Sequence, residues 1–341
     1  MKLKKILFST AALILSISLF SGCTSTTATP SPVATTPIAS AASSSDTLSV
    51  MALKGPTAMG MVKLIEDSAQ GKTAGKYNFS IVGTADEITA KIVKGEVDIA
   101  AVPCNLASVL YNKTNGSITV TNINTLGVLY IVENGTTINS VKDLKGKTIY
   151  STGKGTTPEY TLNYILKANG LDPEKDVNIV YKSEATEVAA MLEQDTAAVA
   201  MLPQPYVTTV ITKNKNLRIA LDISEQWNKV SSNGSGLVTG VLIIRNDVLK
   251  NKKDLVNKFL DEYKASTQYT NNNIAEASTL IEKNGIVTAA IAKTAIPKCN
   301  ITYIDGSEMK SKISGYLKVL YDQNPASVGG KLPDDNFYYT R

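Results

Sequence analysis

The 341-residue chain carries 35 Lys and Arg against 30 Asp and Glu, a formal net charge of +5, with 43% apolar residues and no histidine. The apolar fraction is that of a globular protein, and the charge is too small to argue for a nucleic-acid partner. The lack of histidine removes imidazole acid–base catalysis, Ser-His and Cys-His nucleophile pairs and the usual zinc sites, so no catalytic residue, metal ligand or cofactor is expected.

Residues 1–22 begin with Lys2, Lys4 and Lys5 and continue as an apolar run from Ile6 to Phe20, which closes on small residues before Cys23. That is an export signal. Phe20-Ser-Gly-Cys23 resembles the bacterial lipoprotein processing box, with Phe20 where Leu is usual, and Cys23 is the expected lipidation site. A diacylated cysteine carries enough hydrocarbon for stable anchoring on the outer face of the cell membrane. Removing the signal leaves 32 basic residues against 30 acidic, a net charge of +2. Residues 23–46 are nearly all Thr, Ser, Ala and Pro, a composition that buries no core and suits a flexible tether.

From residue 47 onward the chain is organised by a repeat. Glu87 to Leu110 returns 100 positions later as Glu187 to Val210, with Glu87/Glu187, Ala90/Ala190, Ala100/Ala200 and Pro103/Pro203 identical. In each copy an amphipathic helix pattern (Ile88, Ile92, Val93; Val188, Met191, Leu192) runs into a short apolar strand that stops at proline. Upstream, 78–84 matches 178–184, and 49–57 matches 148–157. Each half therefore reads strand, loop, helix, three times over. Such alternation implies right-handed crossovers and a mostly parallel sheet with helices on both faces, and ligands bind beyond the carboxyl ends of strands in sheets of this kind.

The expected fold class is α/β, with two doubly wound lobes, a ligand cleft between them and a hinge of two segments. Residues 47–133 form the first part of lobe 1, ending in a strand Leu126–Val132; the polar turn 133–137 is read as the crossing. Residues 134–237 form lobe 2. Residues 238–341 return to lobe 1 through the strand Val238–Ile244, followed by helices at 253–271, 274–283, 288–294 and 306–321 that are expected to pack on lobe 1. Besides Cys23 there are only Cys104 and Cys299, which can pair or stay as buried thiols; the small-residue setting of Cys104 favours thiols.

These features resemble the type II periplasmic solute-binding proteins, in the branch serving importers of sulfonates such as taurine, of nitrate and of thiamine-pyrimidine precursors. The resemblance rests on Gly95–Pro103, Val141–Lys147, Gly170–Val177, Pro203-Gln-Pro205 and Gly329-Gly-Lys-Leu-Pro333. It implies a monomer that captures a small-molecule solute, closes on it and delivers it to the transmembrane subunits of an ABC permease.

Six loops converge on the expected cleft: 54–57, 83–86 and 103–106 from one lobe, 153–157, 183–186 and 203–206 from the other. Thr57, Asn105, Thr156 and Thr157 sit where loops open helices, where a side chain caps the helix or meets a ligand and the free N–H groups favour an anion. Lys54, with Gly55 beside it, can neutralise a sulfonate or carboxylate. Thr84, Cys104 and Gln204 are further candidate contacts. Glu184 repels an anion but accepts from an amino group, whether an ammonium or an aminopyrimidine. Tyr130, Tyr160 and Tyr206 are the aromatic candidates, because Trp227 falls outside these loops. The set favours a small polar or anionic, sulfonate- or taurine-like ligand, with a thiamine-pyrimidine precursor or another heterocycle as the alternative. An enzyme acting on a pyrimidine or menaquinone precursor is the rival class; it is disfavoured because nothing in the sequence pairs Glu184 or Asp86 with a second catalytic group.

Overall fold

The computed structural model describes residues 47–194, 197–231 and 235–341; the signal, Cys23 and the tether lie outside them. The first segment runs β1 (Thr47–Leu53), α1 (Pro56–Met59), α2 (Val62–Ala69), β2 (Lys76–Val82), α3 (Ala85–Val93), β3 (Ile99–Pro103), α4 (Cys104–Lys113) and β4 (Ile118–Leu126). There follow β5 (Leu129–Asn134), β6 (Thr148–Thr152), α5 (Thr157–Ala168), β7 (Asn178–Lys182), α6 (Ala185–Gln194), β8 (Val199–Pro203), α7 (Tyr206–Lys213), β9 (Leu217–Asp222) and α8 (Ile223–Val230). The chain ends with β10 (Val238–Arg245), α9 (Asn246–Asn251), α10 (Lys253–Asn272), α11 (Ile274–Lys283), α12 (Ala289–Ala295), β11 (Ile301–Ile304) and α13 (Gly306–Gln323).

The strands form two sheets, ordered β11-β4-β10-β3-β1-β2 and β7-β6-β8-β5-β9. In the first, β1 is parallel to β2 and β3; in the second, β6 is parallel to β7 and β8. These trios are the two copies of the repeat. Every residue of β3 is buried, as its uninterrupted apolar run requires of a strand covered on both faces. The helix that follows β2 buries Ile88 and Ile92, and its counterpart after β7 buries Val188 and Leu192.

Each sheet is completed by an antiparallel strand delivered from the other half of the chain. β10 lies between β3 and β4, and β5 lies between β8 and β9. The first crossing differs from the sequence reading: Leu126–Val132 is not one strand, because Leu126 ends β4 in the first sheet while Leu129 opens β5 in the second. The chain therefore changes sheets at Gly127–Val128. A Cβ on Gly127 would fall 2.0 Å from Ser224 Oγ and 3.0 Å from Leu237, so close packing against α8 demands glycine at the crossing. The polar turn after β5 is instead held inside the second half. The buried Glu133 carboxylate accepts from Thr137 N (3.2 Å), Thr137 Oγ1 (2.8 Å), Ile138 N (3.0 Å) and Arg218 Nη2 (2.5 Å).

The C-terminal helices do more than cover the first sheet. α10 and α11 pack on α2, but α12 reaches α7, and α13 packs on both α4 and α5. Trp227 is the centre of that bridge. It is fully buried between Tyr164 and Tyr316, with ring centroids 4.7 and 5.2 Å away, and its Nε1 donates to Ser235 O at 2.9 Å. Truncating an aromatic so placed costs about 3–5 kcal/mol. Among the described residues no helix is long and apolar enough to cross a membrane.

Candidate functional site

A cavity of about 540 Å³ opens between the carboxyl ends of the parallel strands of the two sheets. Its wall takes Leu53–Lys54, Pro56–Thr57, Gly83–Asp86 and Pro103 from the first repeat, and Thr152–Lys154, Thr156–Pro158, Tyr181–Ala185, Pro203 and Tyr206 from the second. Thr125, Val128, Leu129 and Thr239, at the two crossings, complete it. The volume lies within the 300–1,000 Å³ usual for small-molecule sites.

Six of the ten residues singled out from the sequence line this cavity: Lys54, Thr57, Thr84, Thr156, Thr157 and Glu184. Gly55 lies behind the wall with φ of 132°, shaping the turn into α1. Cys104 is fully buried in the apolar core, which pushes its thiol pKa up. It and Cys299 are free thiols. Gln204 is buried too, and its Oε1 accepts from Thr208 N (3.2 Å) and Thr208 Oγ1 (2.8 Å) in α7. Asn105 serves structure in a different way. Its Nδ2 donates to Ser327 O (3.0 Å) and Gly155 O (3.3 Å) while its Oδ1 accepts from Thr157 Oγ1 (3.3 Å), tying the two repeats together behind the cavity.

Five of the lining threonine hydroxyls have a common orientation. Thr57 Oγ1 donates to Leu53 O (2.6 Å), Thr156 Oγ1 to Gly153 O (2.8 Å), Thr84 Oγ1 to a Glu87 carboxylate oxygen (3.0 Å), Thr125 Oγ1 to Asn124 Oδ1 (2.9 Å) and Thr157 Oγ1 to Asn105 Oδ1. Carbonyl and carboxylate oxygens carry no hydrogen, so in each pair the threonine proton is committed to the protein and only lone pairs remain. None of these hydroxyls caps its helix.

Three of the helix ends facing the cavity, those of α3, α5 and α6, carry acids of their own, whereas α1, α4 and α7 have none in their first turns. Glu159 accepts from Gly155 N at 2.5 Å in front of α5, whose second residue, Pro158, has no N–H. Asp86 and Glu87 stand in the first turn of α3, and Glu187 in that of α6 behind Glu184. These carboxylates offset the positive ends of the helix dipoles. Lys54 and Lys154 are exposed, and Lys182 is half-buried. Among the described residues no cluster of His, Cys, Asp and Glu is suited to a metal ion.

Besides Thr125, Lys154 and Lys182, two unpartnered lining groups escaped the sequence reading. Tyr181 OH and Thr239 Oγ1 are buried and have no hydrogen-bond partner. Burial, with Glu159 and Tyr160 nearby, raises the Tyr181 pKa, so the phenol keeps its proton. Tyr181 is the next-to-last residue of β7, where strand alternation gave no reason to prefer it over Tyr130, Tyr160 and Tyr206; Thr239 sits on the return strand, which no repeat position marks. Of the aromatic candidates only Tyr206 lines the cavity. Tyr130 is core, its hydroxyl donating to Lys298 O at 3.3 Å.

Comparison with solved structures decides the fold. An ABC transporter protein from Parabacteroides distasonis superposes with a TM-score of 0.72 at 25% identity, covering 87% of this chain and 99% of that one. The chain has the fold of a type II periplasmic solute-binding protein. The periplasmic aliphatic sulphonate binding protein SsuA of Escherichia coli shares this binding-protein fold at 13% identity, with a TM-score of 0.68 over 86% of this chain and 92% of that chain. The alkanesulfonate-binding protein SsuA of Xanthomonas axonopodis pv. citri, bound to MOPS, gives 14%, 0.65, 85% and 95% in the same order: identity, TM-score and the share of this chain and of that chain. The model of the NMT1/THI5 like family matches residues 112–277. No curated protein matches the chain.

Proposed function

We propose that the protein is the extracytoplasmic substrate-binding lipoprotein of an ABC importer, anchored through Cys23, which captures a small polar solute by closing its two lobes and makes or breaks no bond. The observation that carries this reading is the cavity at the carboxyl ends of both parallel strand trios, bordered by both chain crossings. A solute touching both walls favours the closed form by its differential affinity for it, which gives a permease a way to tell loaded from empty.

The sulfonate-binding neighbours support a sulfonate- or taurine-like solute, for which Lys54, Lys154 and Lys182 supply the positive rim. The resemblance to binding proteins for thiamine-pyrimidine precursors supports a nitrogen heterocycle, for which Tyr181 and Tyr206 supply the aromatic walls and Glu184 an acceptor. Thermal-shift screening against sulfonates, nitrate, carboxylates and aminopyrimidines tests the reading. A solute that binds only the folded state stabilises it by ~2.7 kcal/mol at 100 times its dissociation constant. Replacing Cys23 by alanine should release the protein from the membrane fraction.

A further inference from the structure

We infer that the part of the solute buried in this cavity is a hydrogen-bond donor, an N–H- or O–H-bearing group, and that plain anions such as alkanesulfonates or nitrate are not its ligands. This rests on the receptor reading and narrows the substrate class of the same site. Two independent observations carry it. The first is the hydroxyl orientation: Thr57, Thr84 and Thr156, which unlike Thr125 and Thr157 keep exposed surface, have committed their protons to protein acceptors, so they offer a ligand lone pairs alone. An oxyanion has only acceptors and meets repulsion there; an amine, amide or alcohol finds a partner at each.

The second is the state of the helix ends. A bare helix N-terminus binds anions through free N–H groups and the dipole, yet at the starts of α3, α5 and α6, though not of α1, α4 and α7, acids already stand: Glu159 occupies Gly155 N, Pro158 removes a donor, and Asp86, Glu87 and Glu187 lie in first turns. Tyr181 OH and Thr239 Oγ1, unpartnered beside the same cavity, complete the recognition set. Each can accept from a donor or rotate to give one hydrogen bond.

The experiment compares matched probes that differ by one donor group, taurine against ethanesulfonate and 4-aminopyrimidine against pyrimidine, by calorimetric titration of the mature protein. The expected result is binding on the order of tenfold or more tighter for the amino member, the scale of one buried group left unpaired. Tyr181→Phe and Thr239→Val should weaken the amino member by about the same factor, while the solute-free protein keeps or gains stability, because an unpartnered hydroxyl gives way to an apolar isostere. Equal or tighter binding of ethanesulfonate or pyrimidine overturns the inference and leaves the receptor reading standing. If neither pair binds, the small molecule released from the purified protein by unfolding decides. One bearing N–H or O–H groups sustains the inference, one without them overturns it, and no released solute overturns the receptor reading itself.

Discussion

Replacing Asn105 by alanine removes a side chain that hydrogen-bonds from α4 to both the start of α5 and the turn at Ser327. The cost follows from what each partner can find instead. Ser327 is buried, so its carbonyl is left unpaired at about 1–3 kcal/mol; Thr157 is fully buried and loses its acceptor at a similar or smaller cost; Gly155 is exposed, so water replaces the third bond almost freely. The expected loss is about 2–4 kcal/mol, read as a lower urea midpoint at unchanged slope. Ser108→Ala is the control. Its Oγ donates to Val328 O at 2.8 Å in the same turn but reaches nothing in the second repeat. Both variants should lose stability, and only Asn105→Ala should also weaken solute binding, on the order of tenfold, through displacement of Thr156 and Thr157. A loss below about 0.5 kcal/mol, or equal effects of the two variants on affinity, would refute this account of how the lobes are tied.

Three further outcomes are expected. Gly83 has no positive φ, but a Cβ there would lie 2.8 Å from Glu184 Oε1 across the cavity mouth; Gly83→Ala should weaken solute binding with little change in stability, and Glu184→Ala should remove that sensitivity in a double-mutant cycle. Burial alone would raise the Glu133 carboxyl, but the Ile138 and Thr137 amides, the Thr137 hydroxyl and Arg218 outweigh it and hold the pKa below its ordinary value. A carboxylate so depressed stabilises the fold above its unfolded pKa of roughly 4.3 and loses that contribution as pH falls through the folded value. Glu133→Gln should therefore flatten the acid limb of the stability profile measured by denaturant titration. Cys104 and Cys299 are buried free thiols with raised pKa, so the folded protein should resist thiol reagents at both and reducing agents should leave its melting temperature unchanged.

The repeat made much of the fold legible because it fixed the period of strand, loop and helix twice over. Pro103 and Pro203 marked the strand ends, and the loops after them were placed on one rim. The first crossing was not legible, because a chain passing straight from one sheet to the next needs no turn residues; Leu126 to Val132 reads as unbroken apolar sequence. β4 escaped for another reason. Thr119, Thr121, Asn122, Asn124 and Thr125 are all buried in it, and the apolar alternation that starts at Ile118 and Val120 is lost at Asn122, so the pattern is too short to mark a nine-residue strand. At the site, residue type told where threonines and carboxylates would gather but not which way a hydroxyl points. That depends on Leu53 O and Gly153 O, backbone groups that the sequence places only after folding. Asn105 shows the same limit, since a polar residue at a helix start is equally suited to a ligand, a cap or a second lobe.

The central claim is that one small solute occupies the cavity between the strand ends. Its most direct test is to unfold the purified mature protein, identify the released small molecule by mass spectrometry, and titrate it back into the refolded protein and into a Thr156→Trp, Thr57→Trp variant whose two indoles crowd the cavity from both walls. One solute rebinding at a single site in the native sequence, and not in the filled variant, is the predicted result. Undiminished binding in the filled variant would contradict the account.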